Sequence, residues 1–119
     1  MGDEPLAPDV RRCIDECLSC SAACTEAITH CLAKGGLYAE AGPVRDLMDC
    51  ALLCRTAADL MLRGSGLHRD ACAVAADACD FCAESAGRLP DDDVVRRCVD
   101  ASRRCGAACR HIAGVEFLA

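Results

Sequence analysis

Thirteen of the 119 residues are cysteine, and their spacing is that of side chains sharing helix faces. Cys13 and Cys17, Cys20 and Cys24, Cys50 and Cys54, and Cys105 and Cys109 each follow Cys-x3-Cys, while Cys17 and Cys20, and Cys79 and Cys82, follow Cys-x2-Cys. Residues three or four apart are neighbours on a helix, so thiolates from adjacent turns can bracket one small ion. Soft thiolate ligation of that kind suits Cu(I). Zn(II) takes four ligands in a tetrahedron, usually from loops or knuckles. A continuous stripe offers it no discrete four-ligand sites, although facing helices can build some. Iron–sulfur runs carry a Cys-Pro after closely spaced cysteines, and no cysteine here precedes proline.

The elements that must carry these thiols are punctuated clearly. A first helix is expected over about 9–33, stopped by Lys34-Gly35-Gly36. A second spans about 43–63 and opens on Pro43, suited to a first turn. The third spans about 67–86 after Gly64-Ser65-Gly66, and the fourth about 91–113. Pro90-Asp91-Asp92-Asp93 supplies the N-cap and acidic first turn of the fourth. Strand signals are absent. The whole chain, 1–119, therefore reads as a single all-α domain, an antiparallel four-helix bundle with a Cys-lined core.

At ~100° per residue the five cysteines of the first helix (Cys13, Cys17, Cys20, Cys24, Cys31) fall within an arc of about 60°. Cys50 and Cys54 share a face of the second helix. Cys72 and Cys79 align on the third with Cys82 at the edge, and Cys98, Cys105 and Cys109 align on the fourth. Ile14, Leu18, Ile28 and Leu32 flank the first stripe, and charged residues fall largely elsewhere. A bundle buries its most apolar stripe, so the thiols face inward along the axis. Free cysteine often packs as a small hydrophobe. Thirteen on coincident faces exceed that role, which Leu, Val and Ile fill without oxidising. The 22 Ala allow close helix approach, and the absence of Trp leaves space in the bore.

Each thiol must lose a proton to bind metal. A Cu(I) between two unshared thiolates carries net negative charge, which is costly in a dry core. Bridging thiolates give one neutral unit per ion, so the expected capacity is nearer ~13 than ~6 Cu(I) per chain.

Both termini and the second connection belong at one end of an up-down-up-down bundle. There Cys13, Cys109, Met61 and His68 converge, and Met61 and His68 are further candidate Cu(I) ligands at an entry port. His30 and His111 read as surface residues, Met48 as packing, and Asp46 as compensation of a helix dipole. The pairs Arg11-Arg12, Arg96-Arg97 and Arg103-Arg104 read as solvated faces.

Other classes fit less well. A secreted disulfide framework is opposed by the odd cysteine count, the Ala-rich composition and an N-terminus, MGDEPLAPDV, without the basic-then-apolar export pattern. The expected compartment is the cytoplasm, where thiols stay reduced. A net charge of −6 argues against nucleic-acid binding, and no apolar run is long enough for a membrane span. A thiol redox protein would place its Cys-x2-Cys at an exposed helix N-terminus; here both lie mid-helix. No enzyme signature is found, because Ser19, Ser21, Ser65, Ser85 and Ser102 lack a partnered His and acid at interpretable spacing. A metallothionein-like Zn(II) or mixed-metal buffer stays open beside Cu(I).

The run Cys13-x3-Cys17-x2-Cys20-x3-Cys24-x6-Cys31, with paired cysteines in the other helices, resembles the bacterial copper storage proteins over about residues 9–113. That resemblance implies a homotetramer of bundles, each storing many Cu(I) ions. It also implies a cytosolic type, as opposed to the exported members that carry a signal peptide. The copper donor or acceptor is not implied.

Overall fold

Pro8 opens the first helix, where its missing N–H forfeits no hydrogen bond and its fixed φ suits the first turn. In the computed structural model, which describes residues 6–114, four helices follow in order. They are α1 (Pro8–Lys34), α2 (Ala41–Leu62), α3 (His68–Gly87) and α4 (Asp93–Ala113), with one 3-10 turn, Gly36–Ala39, between α1 and α2. The all-α bundle expected from the helix punctuation is the fold observed. No strand occurs among the described residues.

The helix ends follow their capping chemistry. Gly35, at φ +72°, lets the chain leave α1 while its N–H bonds the Cys31 carbonyl. Gly114 ends α4 in the left-handed conformation at φ +74°. Helix α2 starts at Ala41, two residues before the expected start, so Pro43 is its third residue and still within the first turn. Asp46 then lies in the second turn. It is too far along for the dipole role expected of it, since that effect fades within the first turn. Helix α4 starts later than expected, at Asp93, because Asp92 is the cap: its Oδ1 accepts the Val95 N–H at 3.0 Å.

Asp92 also ties two helices together. Its Oδ2 accepts from Lys34 Nζ at 2.9 Å and lies 2.8 Å from His30 Nε2, and its side chain is only 7% exposed. The Lys34 ammonium, the Val95 N–H and His30 hold its carboxyl well below the usual carboxylate range. A group with a depressed folded-state pKa contributes stability that is complete above the ordinary carboxylate range and lost as pH falls through the folded value. Asp92→Asn keeps a capping oxygen but loses the charge. The variant is expected to melt below the parent at neutral pH, with the gap narrowing toward about pH 2. Thermal melts of the metal-free proteins across that range check this. A gap independent of pH would show that the charge is not what stabilises the tie.

The main packing pairs are α1–α2, α2–α3, α3–α4 and α1–α4, so the helices form a closed square. Neighbours run antiparallel: Cys13 and Cys17 at the start of α1 meet Cys109 near the end of α4, while Cys24 meets Cys98. The buried set is mostly Cys and Ala, joined by Ile14, Leu47, Met61, Val95, Val99 and Ile112. Gly106 marks a close approach of α3 and α4. A Cβ there would stand 3.2 Å from Cys79 Cβ, tighter than ordinary packing allows. The Arg110 guanidinium bonds both oxygens of Asp80 at 2.9 Å beside that crossing.

The flanks differ in part from expectation. Ile14 is fully buried and Ile28 partly so, but Leu18 and Leu32 are 39% and 54% exposed. Met48, read as packing, is 56% exposed, because it points directly away from the thiol face of α2.

Candidate metal centre

All thirteen cysteines have no exposed surface, and all are free thiols. The helical stripes converge because each lies on the face its helix turns to the bundle axis. The sulfurs form one column. At the end holding the α2–α3 connection, Cys72 Sγ is 3.7 Å from Met61 Sδ. Cys13, Cys72 and Cys109 group within 4.8 Å of one another, as do Cys17, Cys105 and Cys109. Cys105 Sγ then lies 3.6 Å from both Cys17 and Cys54. Cys54 leads to Cys79 at 3.6 Å, Cys50 reaches Cys20 at 3.7 Å, and Cys20 reaches Cys24 at 3.9 Å. Cys24 closes the column with Cys98 at 3.5 Å and Cys82 at 4.0 Å. Cys31 lies two turns further along α1 and joins none of these groups.

Facing helices do build one four-sulfur group, from Cys20, Cys50, Cys54 and Cys79. Four of its sulfur separations lie between 3.6 and 3.9 Å. A tetrahedron with Zn–S near 2.3 Å has edges of about 3.8 Å, so this group also suits zinc. The remaining groups are trios.

The thiols are not equivalent. Burial pushes the Cys31 thiol up, and the Asp92 carboxylate adds to that. Cys72 is pushed up to about 12: Cys109 pulls it down, but Cys13 and burial outweigh that pull. Cys109 is held down at about 6 by hydrogen bonds from Cys105, Cys13 and Cys17. Cys20, Cys54 and Cys82 are also held down by hydrogen bonds from neighbouring thiols, so lowered thiols are spread along the column, and Cys109 is the one at the Met61 end.

His68, the first residue of α3, is half-buried, and its Nδ1 lies 2.8 Å from the Ser65 carbonyl oxygen. His68 belongs to none of the cysteine groups. A carbonyl only accepts, so Nδ1 is the donor and Nε2 is the ring's other ligating position. This is the arrangement that orients a metal-binding imidazole. His30 is half-buried against Asp92, and His111 is exposed and 3.3 Å from Asp9. Of the arginine pairs, Arg96 bonds Asp91 and Asp93, and Arg104 reaches Glu16 at 3.4 Å, all on exposed arginine side chains.

Sequence reasoning missed Ser102. It is fully buried in the bore, and Cys20, Cys24, Cys50 and Cys82 all lie within 4.0 Å of its Oγ. Four residues after Cys98 and three before Cys105, it stands on the α4 thiol stripe. That spacing was the signal available.

A family model described as "Copper storage protein" matches residues 7–114. The structure of Nmul_A1745 from Nitrosospira multiformis is 38% identical, covers 91% of this chain and 97% of its own, and superposes with a TM-score of 0.84. The Cu(I)-bound copper storage protein BsCsp3 of Bacillus subtilis is 30% identical over 88% of this chain and 98% of its own, with a TM-score of 0.83. A cytosolic copper storage protein from Streptomyces lividans, holding five coppers, is 29% identical over 92% of this chain and 95% of its own, with a TM-score of 0.82.

Proposed function

The chain belongs to the copper storage protein family, and from that premise we propose that its thirteen core thiols bind and store many Cu(I) ions inside a single four-helix-bundle domain. The observation that carries this reading is the unbroken run of sulfur contacts from Met61 to Cys98. The thirteen cysteines named above are the ligands, each exchanging its proton for metal. Met61 and His68 act at the port rather than in the store. The role is binding and release, not catalysis.

Cytosolic residence is supported by the Streptomyces lividans protein, which is described as cytosolic. No described helix is long and apolar enough to cross a membrane. Self-association, as the tetramer that the resemblance implies, is supported by Met48, Leu52, Val74 and Phe81, apolar side chains at least half exposed on α2 and α3.

The four-sulfur group gives zinc one specific foothold. Native mass spectrometry after anaerobic Cu(I) loading, with Zn(II) in excess, tests the reading. Metal-free protein exposed to Zn(II) alone is expected to take up about one ion, at the quartet. Cu(I) is expected to displace that ion and fill the column, since thiolates select the softer ion. Zinc that stays bound against Cu(I), or a Cu(I) count of only one or two, would instead favour a zinc or mixed-metal buffer. The apoprotein is expected to be helical already by circular dichroism, unlike a metallothionein-like chain that orders only around metal.

A further inference from the structure

We propose that Ser102 divides the thiol column into two copper compartments. This rests on the storage reading above. Ser102 occupies a stripe position on α4 between Cys98 and Cys105. Its Oγ is 3.7 Å from Cys20 and 3.9 Å from Cys50 on one side, and 3.5 Å from Cys82 and 4.0 Å from Cys24 on the other. The first two belong to the central quartet, the second two to the trio completed by Cys98. The hydroxyl therefore stands at the boundary between two sulfur groups.

Ser21, Thr25 and Thr56 on these helices donate to backbone carbonyls, of Ala51, Ser21 and Leu52. The contacts of Ser102 Oγ are with sulfur. A neutral alcohol is a hard, weak donor beside thiolate and is no ligand for Cu(I). Its O–H instead donates to Cys82 Sγ and can stabilise one thiolate at a time. A sulfur here would touch both groups. With oxygen in its place, the sulfur pair within 4.0 Å that crosses between the groups is Cys20–Cys24, at 3.9 Å, while Cys50 faces Cys24 and Cys82 across the hydroxyl. Copper entering at the Met61 end fills the larger compartment first. It reaches Cys24, Cys82, Cys98 and Cys31 slowly, and leaves them slowly.

Anaerobic Cu(I) titration of the full chain, followed by native mass spectrometry and by release to a Cu(I) chelator, tests this in the parent, Ser102→Cys and Ser102→Ala. The parent is expected to fill and empty in two phases. Ser102→Cys is expected to hold about one further Cu(I) and to merge the phases, because the new thiol supplies both a ligand and a bridge. Ser102→Ala is expected to keep two phases, since alanine binds no copper either, and it shows that the cavity alone does not merge them. A parent that loads fully in a single phase, an unchanged count and phase pattern in Ser102→Cys, or merged phases in Ser102→Ala would overturn the division while leaving storage intact. A parent that takes up no Cu(I) would overturn storage itself.

Discussion

Anaerobic Cu(I) titration of the full chain is expected to saturate near ~13 ions rather than near ~6, and to release about one proton per ion. The two stoichiometries are two different chemistries. If each ion sits between two unshared thiolates, two thiols lose protons and every unit keeps one negative charge. About six such charges would lie in a core with no cationic side chain to meet them: the buried polar residues among those described are Ser21 and Ser102. If thiolates bridge, each ion displaces one proton and each unit is neutral. Bridging requires sulfurs that touch more than one other sulfur, and the column supplies them. Cys109 lies 3.8, 3.5 and 3.9 Å from Cys13, Cys17 and Cys105. Cys50 lies 3.7, 3.9 and 3.8 Å from Cys20, Cys54 and Cys79.

The proton count is the sharper readout, because weakly buffered titration distinguishes about one proton per copper from about two without a saturating end point. It also fixes the pH dependence. With one proton displaced per ion, affinity falls about tenfold for each unit of acidification while the thiols remain protonated in the metal-free state. The raised thiols of Cys31 and Cys72 extend that dependence through neutral pH. Saturation near half the cysteine count, with two protons released per ion, would sink bridging.

What the sequence disclosed was intrahelical. A stripe of cysteines is visible because a helix repeats at ~100° per residue, and that angle depends on no other part of the chain. The pairing of Cys54 with Cys105, or of Cys24 with Cys98, depends on how far one helix slides along another. That register is set by close approaches such as Gly106 against Cys79, which no periodicity encodes. The same limit hid the quartet Cys20, Cys50, Cys54 and Cys79, drawn from three helices. Ser102 was missed for a different reason. Its angle was as legible as that of Cys98, but a search for ligands passes over a residue whose role is not to bind. His30 was placed at the surface, and its tie to Asp92 joins residues 62 positions apart that only the fold brings together.

Replacing Met61 by Leu and His68 by Ala together is expected to slow copper loading by about tenfold, the effect of removing ~1.4 kcal/mol of contact at the entry step. The final copper count should not change. The two ends of the bundle differ in what crosses them. At the far end the Tyr38 hydroxyl donates to the Pro90 carbonyl at 3.2 Å, Lys34 lies 4.4 Å from the Tyr38 ring centroid, and Asp92 joins α1 to α4. At the other end the structure offers donors instead. Met61 Sδ lies 3.7 Å from Cys72 Sγ, Cys109 is among the thiols held down, and His68 Nδ1 donates to the Ser65 carbonyl, leaving Nε2 as its ligating position.

Thioether and imidazole bind Cu(I) without first losing a proton at neutral pH. They can therefore take an arriving ion without releasing a proton, and pass it to Cys109. A leucine preserves the volume at Met61, so slower loading in the double variant would not reflect a collapsed core. Stopped-flow loading from a chelated Cu(I) donor measures the rate, and chelator-driven unloading measures the reverse passage through the same end. Slower exchange in both directions with unchanged capacity assigns these two side chains to the port. Unchanged kinetics would remove the port, and a lower capacity would make them storage ligands instead.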